Sequence, residues 1–155
     1  MKFKKLRFLT LLIMSMFILT GCKNKTMISA GEFKSKMESK NYVITDATNQ
    51  FSSNSEIKQV YIAQEKSGNY QIEFYQLDNV DNAVSFYKNN KEIFESSKSN
   101  SNTYSDVTLK NYAKYTLKTN GEYKVLSRID NTVIYINVDS KYNDNIDKIL
   151  KELGY

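Results

Sequence analysis

Residues 115–125 read YTLKTNGEYKV, and the rest of the chain can be interpreted outward from them. Asn120-Gly121 is the strongest two-residue hairpin signal in the sequence, because these residue types tolerate the positive φ that a tight hairpin turn requires. Apolar and polar side chains alternate before the turn, from Tyr115 to Leu117, and after it, from Tyr123 to Val125. The stretch therefore predicts an antiparallel β-hairpin with one buried face.

The same pattern extends on both sides of this hairpin. One long strand is predicted before it, because apolar residues recur at odd-numbered positions and would lie on one face of a strand. These residues are Val107, Leu109, Ala113, Tyr115 and Leu117. After the hairpin, Asp130-Asn131 offers a second tight turn, and Val133 to Val138 forms the most apolar strand. A helix capped by Ser140 then closes at Gly154. Its apolar face consists of Tyr142, Ile146, Ile149, Leu150 and Leu153.

Towards the N-terminus, the first helix is marked by a capping box, in which Ser29 is followed three residues later by Glu32. Three strands are expected after it, over residues 42–47, 57–64 and 70–77. A second helix opens at Asp78 or Asn79 and carries an apolar stripe. The polar stretch 96–103 is expected to be a mobile loop between two halves.

These elements predict an α+β fold in the order α-βββ-α-βββ-α. About six strands form a mainly antiparallel sheet with helices packed on one face. The two βββα halves could record a duplication, although little of their sequence aligns. We assign residues 1–21 to a signal peptide, 22–28 to a short lipidated tether, and 29–155 to a single domain.

The first residues have the order of a secretion signal. Four positive charges lie between Met1 and Arg7, and a nearly uncharged apolar run follows from Phe8 to Leu19. Twelve residues of helix reach only ~18 Å, against about 30 Å of hydrocarbon in a bilayer, so the run is too short for a permanent span. An ordinary secreted protein with one coincidental cysteine is the alternative.

The sequence Leu19-Thr20-Gly21-Cys22 resembles the lipobox of bacterial lipoproteins. This resemblance implies that Cys22 carries a diacylglyceryl group and becomes the mature N-terminus, which would anchor the chain at the extracytoplasmic face of the cell membrane. The whole chain is also similar to small lipoproteins of Gram-positive bacteria that end in Leu153-Gly154-Tyr155, for which no activity is established. That likeness implies a location but transfers no functional residues.

Composition excludes several classes of function. The chain has 22 Lys and Arg against 17 Asp and Glu, but four of the cations precede Cys22, so the mature part is close to neutral and has no electrostatic footprint for nucleic acid. There is no His, and Cys22 is the single Cys. The commonest general base and zinc ligands are therefore missing. We predict no catalytic residue, no metal and no cofactor, although a His-free hydrolase remains an outside alternative.

Tyrosine is the one abundant side chain suited to recognition, with 12 in the chain. Five are expected to pack in the core: Tyr42, Tyr70, Tyr115, Tyr123 and Tyr135. Tyr61, Tyr75 and Tyr112 are the candidates for an exposed binding surface. The leading hypothesis is a non-enzymatic, membrane-tethered module that contacts another cell-envelope protein. The alternatives are a lipoprotein that binds a small molecule or glycan, and one that protects its own cell against a toxin.

Overall fold

The computed structural model describes residues 24–155; the predicted signal peptide and Cys22 lie outside the described residues. The predicted α+β class with a mainly antiparallel sheet is confirmed. The helices are α1 (Ala30–Glu38), α2 (Val80–Ser96) and α3 (Asn143–Leu153). The strands are β1 (Val43–Asp46), β2 (Ile57–Gln64), β3 (Gln71–Leu77), β4 (Asn102–Thr108), β5 (Tyr112–Thr119), β6 (Glu122–Ile129) and β7 (Thr132–Asp139).

The sheet is assembled from two antiparallel meanders that meet in its middle. Its strand order is β1-β2-β3-β7-β6-β5-β4, and every neighbouring pair is antiparallel. Helix α2 carries the chain from β3 to the opposite edge, where β4 begins. The second meander then returns until β7 pairs with β3, with Phe74 opposite Ile134. The centre of the sheet thus joins distant parts of the sequence.

The prediction of one long strand from Val107 to Leu117 is wrong, because these residues belong to two strands. The chain reverses between β4 and β5, and Val107 pairs with Lys114 across the resulting hairpin. Val107 therefore faces away from Tyr115, although both have the same parity in the sequence. The predicted loop 96–103 is correspondingly shorter, since β4 begins at Asn102. Residues 24–155 thus form seven strands in the order α-βββ-α-ββββ-α.

The helices cover both faces of the sheet, so the expectation that they share one face is also wrong. Phe33 of α1 and Leu150 of α3 belong to one buried cluster, whereas Phe94 of α2 belongs to another on the opposite face. The reason lies in β6, where every residue from Tyr123 to Ile129 is buried. A strand with apolar side chains on both faces needs cover on both faces.

This arrangement also bears on the proposed duplication. A two-fold axis that exchanged the two halves of this antiparallel sheet would have to run perpendicular to the sheet, which would leave α2 and α3 on the same face. They lie on opposite faces. The second half also contains the additional strand β4. The topology therefore gives no support to a duplication.

The helix ends follow from local chemistry. The capping box is confirmed, because the backbone N–H of Glu32 donates to Ser29 Oγ and the backbone N–H of Ser29 donates to the Glu32 carboxylate. The prediction that Ser140 caps α3 is wrong. Ser140 lies in a 3-10 turn before α3, and the cap of this turn is the Asp139 side chain. Gly154 ends α3 in the left-handed conformation, with φ 92°.

Immediately beyond Gly154, Tyr155 folds back into the core. Its side chain is only 4% exposed and belongs to the cluster formed by α1, α3 and the sheet. The Tyr155 hydroxyl shares a hydrogen bond with Thr132 Oγ1, and Thr132 is completely buried at the start of β7. Burial is the main cause that raises the pKa of Tyr155, so the phenol stays neutral. Tyr155 is therefore a core residue.

Candidate functional site

The three tyrosines predicted for a binding surface do not come together. Tyr61 is half-buried on the sheet face that carries α1 and α3, and Tyr112 is on the same face but at the far side of the sheet. Tyr75 lies on the other face. Cys22, the predicted lipidation site, lies outside the described residues.

The expectation that Tyr75 is exposed is wrong, since its side chain is 6% exposed. It lies in the middle of β3 under the start of α2. Its ring packs between Phe51 and Phe86, with ring centroids 5.6 and 4.8 Å away. Its hydroxyl donates to Glu73 Oε2 at 2.6 Å. Tyr75 therefore supports the position of Glu73.

The same expectation is wrong for Tyr112, which is 7% exposed. The segment before α1 covers it, with Lys25 Nζ 4.1 Å from the ring centroid. That ammonium also donates to the carbonyl oxygen of Gly154 at 2.9 Å. Two further hydrogen bonds join the Lys25 backbone to the Asn111 side chain, at 3.2 and 2.7 Å. Residues just before α1 are thus held on the domain.

A polar groove of about 690 Å³ lies on the α2 face of the sheet. We call it the Tyr135 groove, after the half-buried ring at its base. Its polar lining is Gln64, Asn69, Gln71, Glu73, Glu122, Asn137 and Asp139, together with Tyr70. Phe94 at the end of α2 packs against Tyr135 with ring centroids 5.0 Å apart. The groove therefore lies where α2 stops covering the sheet.

Neighbouring strands position the central groups of this groove. Glu73 on β3 pairs directly with Tyr135 on β7. Both Glu73 oxygens accept hydrogen bonds, one from Tyr75 and the other from Gln71 Nε2 at 2.9 Å. Burial, followed by the charges of Glu73 and Glu122, raises the pKa of Tyr135. The groove thus presents a fixed carboxylate beside a neutral phenol ring.

Sequence reasoning placed Tyr135 in the core and did not single out its polar neighbours. The usable signal was alternation: Gln71 and Glu73 alternate with Ile72 and Phe74, and Asn137 lies two residues after Tyr135. Side chains two apart on a strand share a face, so each strand contributes a polar row. That the two rows lie side by side depends on the β3–β7 pairing.

No metal centre is found among residues 24–155, where no three metal-ligating side chains of the His, Cys, Asp and Glu types come together. The acidic residues around the start of α3 have other partners. Asp139 accepts from the backbone N–H of Lys141 at 2.9 Å. Asp147 accepts from the Tyr123 hydroxyl at 2.6 Å. Capping and side-chain hydrogen bonding account for both.

Comparison with protein-family models, curated proteins and solved structures finds no match to this chain. Within residues 24–155, none of the helices has the length and apolarity needed to cross a bilayer.

Proposed function

We propose that this chain is a lipid-anchored lipoprotein at the extracytoplasmic face of the cell membrane, and that its domain is a non-enzymatic binding module. The basic and apolar start and the lipobox at Cys22 support the anchor. The contacts of Lys25 support a short tether, because they fix the chain three residues after Cys22. The domain would then remain close to the membrane surface.

The observation that carries the choice of ligand is the Tyr135 groove. It combines an aromatic ring, which can stack against the apolar face of a sugar, with planar amide and carboxylate groups that can hydrogen-bond to hydroxyls. Converging polar groups in a concavity are typical of a ligand site. We therefore propose a glycan or another hydroxyl-rich small molecule as the ligand, in place of the protein partner favoured from sequence.

The charge and the hydrogen bonds of the groove restrict which ligands it can bind. Glu122 and Asp139 pair with Lys124 and Lys141, at 3.0 and 3.3 Å, so Glu73 is the lining carboxylate without an ion pair to the described residues. The negative charge of Glu73 disfavours anionic ligands. Glu73 already accepts hydrogen bonds on both oxygens, an arrangement that suits orientation of a ligand hydroxyl better than proton transfer. A neutral sugar is the ligand chemistry that fits these groups best.

Replacing Gln71 or Asn137 with alanine is expected to weaken glycan binding. Both side chains are exposed and line the groove, so each variant loses ligand hydrogen bonds without disturbing the core. A loss of one net hydrogen bond, about 1 kcal/mol, corresponds to roughly a fivefold increase in Kd. The measurement is isothermal titration of the purified lipidated protein with soluble cell-wall polysaccharides and peptidoglycan fragments.

The matched control is Asn89→Ala on the exposed surface of α2, which should bind as the wild type does. The proposal fails if no sugar in the panel binds the wild-type protein. It also fails if a sugar binds and both groove variants retain its wild-type affinity.

A protein partner remains a second candidate, and the feature that favours it is the edge strand β4. Every residue of this strand is exposed, and no other strand formed by residues 24–155 pairs with its outer edge. Tyr104 is 58% exposed and Val107 is 43% exposed. An unpaired edge with apolar side chains can accept a strand from another protein. A toxin bound by an immunity lipoprotein would be one such partner.

A photo-crosslinking residue placed at Tyr104 is expected to capture one envelope protein in living cells if β4 accepts a partner strand. The matched control is the same residue at Lys58, which is exposed on β2, near the opposite edge of the sheet. Mass spectrometry identifies the captured protein. Recovery of the same proteins from both positions, or of none from Tyr104, would exclude β4 as the docking edge.

A further inference from the structure

A second groove, of about 470 Å³, lies on the face of the sheet that carries α1 and α3. Its cationic lining consists of Lys25 before α1, Lys114 on β5 and Lys151 on α3. We call it the lysine groove. Hydroxyl groups of Ser105 and Thr116, which pair with one another across β4 and β5, also line it. Ammonium and hydroxyl donors from four parts of the chain therefore face one space.

The described residues balance the positive charge in this groove only in part. Asp147 is the one acidic side chain in the lining. Its charge favours the protonated form of Lys114, but its carboxylate already accepts a hydrogen bond from Tyr123. Lys114 is half-buried and has no hydrogen bond or ion pair to any of the described residues. Burial lowers the pKa of Lys114, and burial together with the nearby charge of Lys114 lowers the pKa of Lys25. A bound anion would relieve this repulsion.

The location of the groove indicates which anion is at hand. Lys25 forms its edge and follows Cys22 by three residues, which span at most ~10 Å. If Cys22 is inserted in the bilayer through its lipid, lipid headgroups therefore lie within reach of the groove. Phosphate oxygens accept charge-assisted hydrogen bonds from lysine and further hydrogen bonds from hydroxyl groups.

We propose that the lysine groove binds the phosphate of an anionic lipid headgroup in the membrane that anchors the chain. This inference rests on the proposed lipid anchor but not on the proposed glycan site, which lies on the opposite face of the sheet. The anchor would hold the domain at the surface, and the bound phosphate would orient it. With the lysine groove turned towards the bilayer, the Tyr135 groove on the other face would point away from it.

The test measures how fast individual lysines react with an amine-acetylating reagent, followed by mass spectrometry. The full lipidated protein is placed in nanodiscs of phosphatidylcholine, with or without phosphatidylglycerol. Lys25 and Lys114 are expected to react about fivefold more slowly when phosphatidylglycerol is present, which matches the attraction of one lysine to an anionic surface. The matched control is Lys110, which is exposed next to Asn111 but does not line the groove.

A variant and a soluble ligand complete the test. In Lys114→Gln, the slowing at Lys25 should be lost, whereas in Lys110→Gln it should persist. Glycerol phosphate added to phosphatidylcholine nanodiscs tests a soluble source of the same group. If glycerol phosphate slows the reaction of the groove lysines and phosphatidylglycerol does not, the lipid is not the ligand. Equal rates in all nanodiscs, or slowing at Lys110 as large as at Lys114, would overturn the site itself.

The mass of the intact protein in the same preparation separates the two proposals. A protein without lipid on Cys22 would count against the anchor. A lipidated protein whose groove lysines react at unchanged rates would count against the lysine groove alone.

Discussion

Replacing Cys22 with serine is expected to abolish lipid attachment and to move the protein from the membrane fraction to the soluble fraction. Two acyl chains, at about 0.8 kcal/mol per buried CH₂, provide on the order of 20 kcal/mol of membrane attachment. A serine hydroxyl is a far poorer nucleophile than a thiolate and would not take up the diacylglyceryl group. The measurement is incorporation of a clickable palmitate analogue in growing cells, followed by fractionation.

The matched control for this variant is Thr20→Ala, which keeps a small side chain before Cys22 and should be labelled like the wild type. Label on Cys22→Ser would contradict the assignment of Cys22 as the lipid-bearing residue. Absence of label on the wild-type protein would contradict the anchor itself, and with it the membrane location proposed for the domain.

Replacing Tyr155 with alanine is expected to lower the free energy of unfolding by about 3–5 kcal/mol, as for other large aromatic side chains removed from a core. The ring is 4% exposed and packs in the cluster between the sheet and α3. Loss of the ring would also remove the hydrogen bond to the buried hydroxyl of Thr132. The measurement is urea unfolding, followed by far-ultraviolet circular dichroism.

Two further variants separate the contributions of Tyr155. Tyr155→Phe keeps the ring and removes the hydroxyl, so it should cost only about 1 kcal/mol. Tyr104→Ala removes a ring that is 58% exposed on β4 and should change stability by less than about 0.5 kcal/mol. A Tyr155→Ala variant as stable as Tyr104→Ala would show that the docked ring does not hold α3 to the sheet.

The parts of the fold that sequence predicts well are those specified within a few residues. Asn120 and Gly121 adopt φ 51° and 77°, as a tight hairpin turn requires, and Ser29 and Glu32 form the predicted capping box. The reversal between β4 and β5 was missed because residues 109–111 contain no Gly or Pro, and because the apolar alternation resumes at Ala113 after a single interruption at Asn111. Alternation of apolar and polar residues does not by itself distinguish one long strand from two strands joined by a turn.

Which face of a strand a helix covers is not a local property, and this is why the candidate sites were harder to predict. The alternation of Gln71 and Glu73 with apolar residues indicates a half-buried strand, but the end of α2 decides that these polar groups border an open groove. Likewise, the half-buried position of Lys114 depends on packing of the chain around β5. Tyr75 and Tyr112 were misplaced for the same reason, since segments distant in sequence bury them.

The pairing of β3 with β7 in the middle of the sheet has a consequence for when the chain can fold. The central strands come from different halves of the domain, and the ring of Tyr155 completes a core that begins at Ile28. A nascent chain that has not yet reached Tyr155 lacks part of this core, and such long-range pairing is slow to form. Slow folding of this kind would suit the proposed export of the chain, because a polypeptide that threads through a narrow secretion channel has to stay unfolded until it emerges.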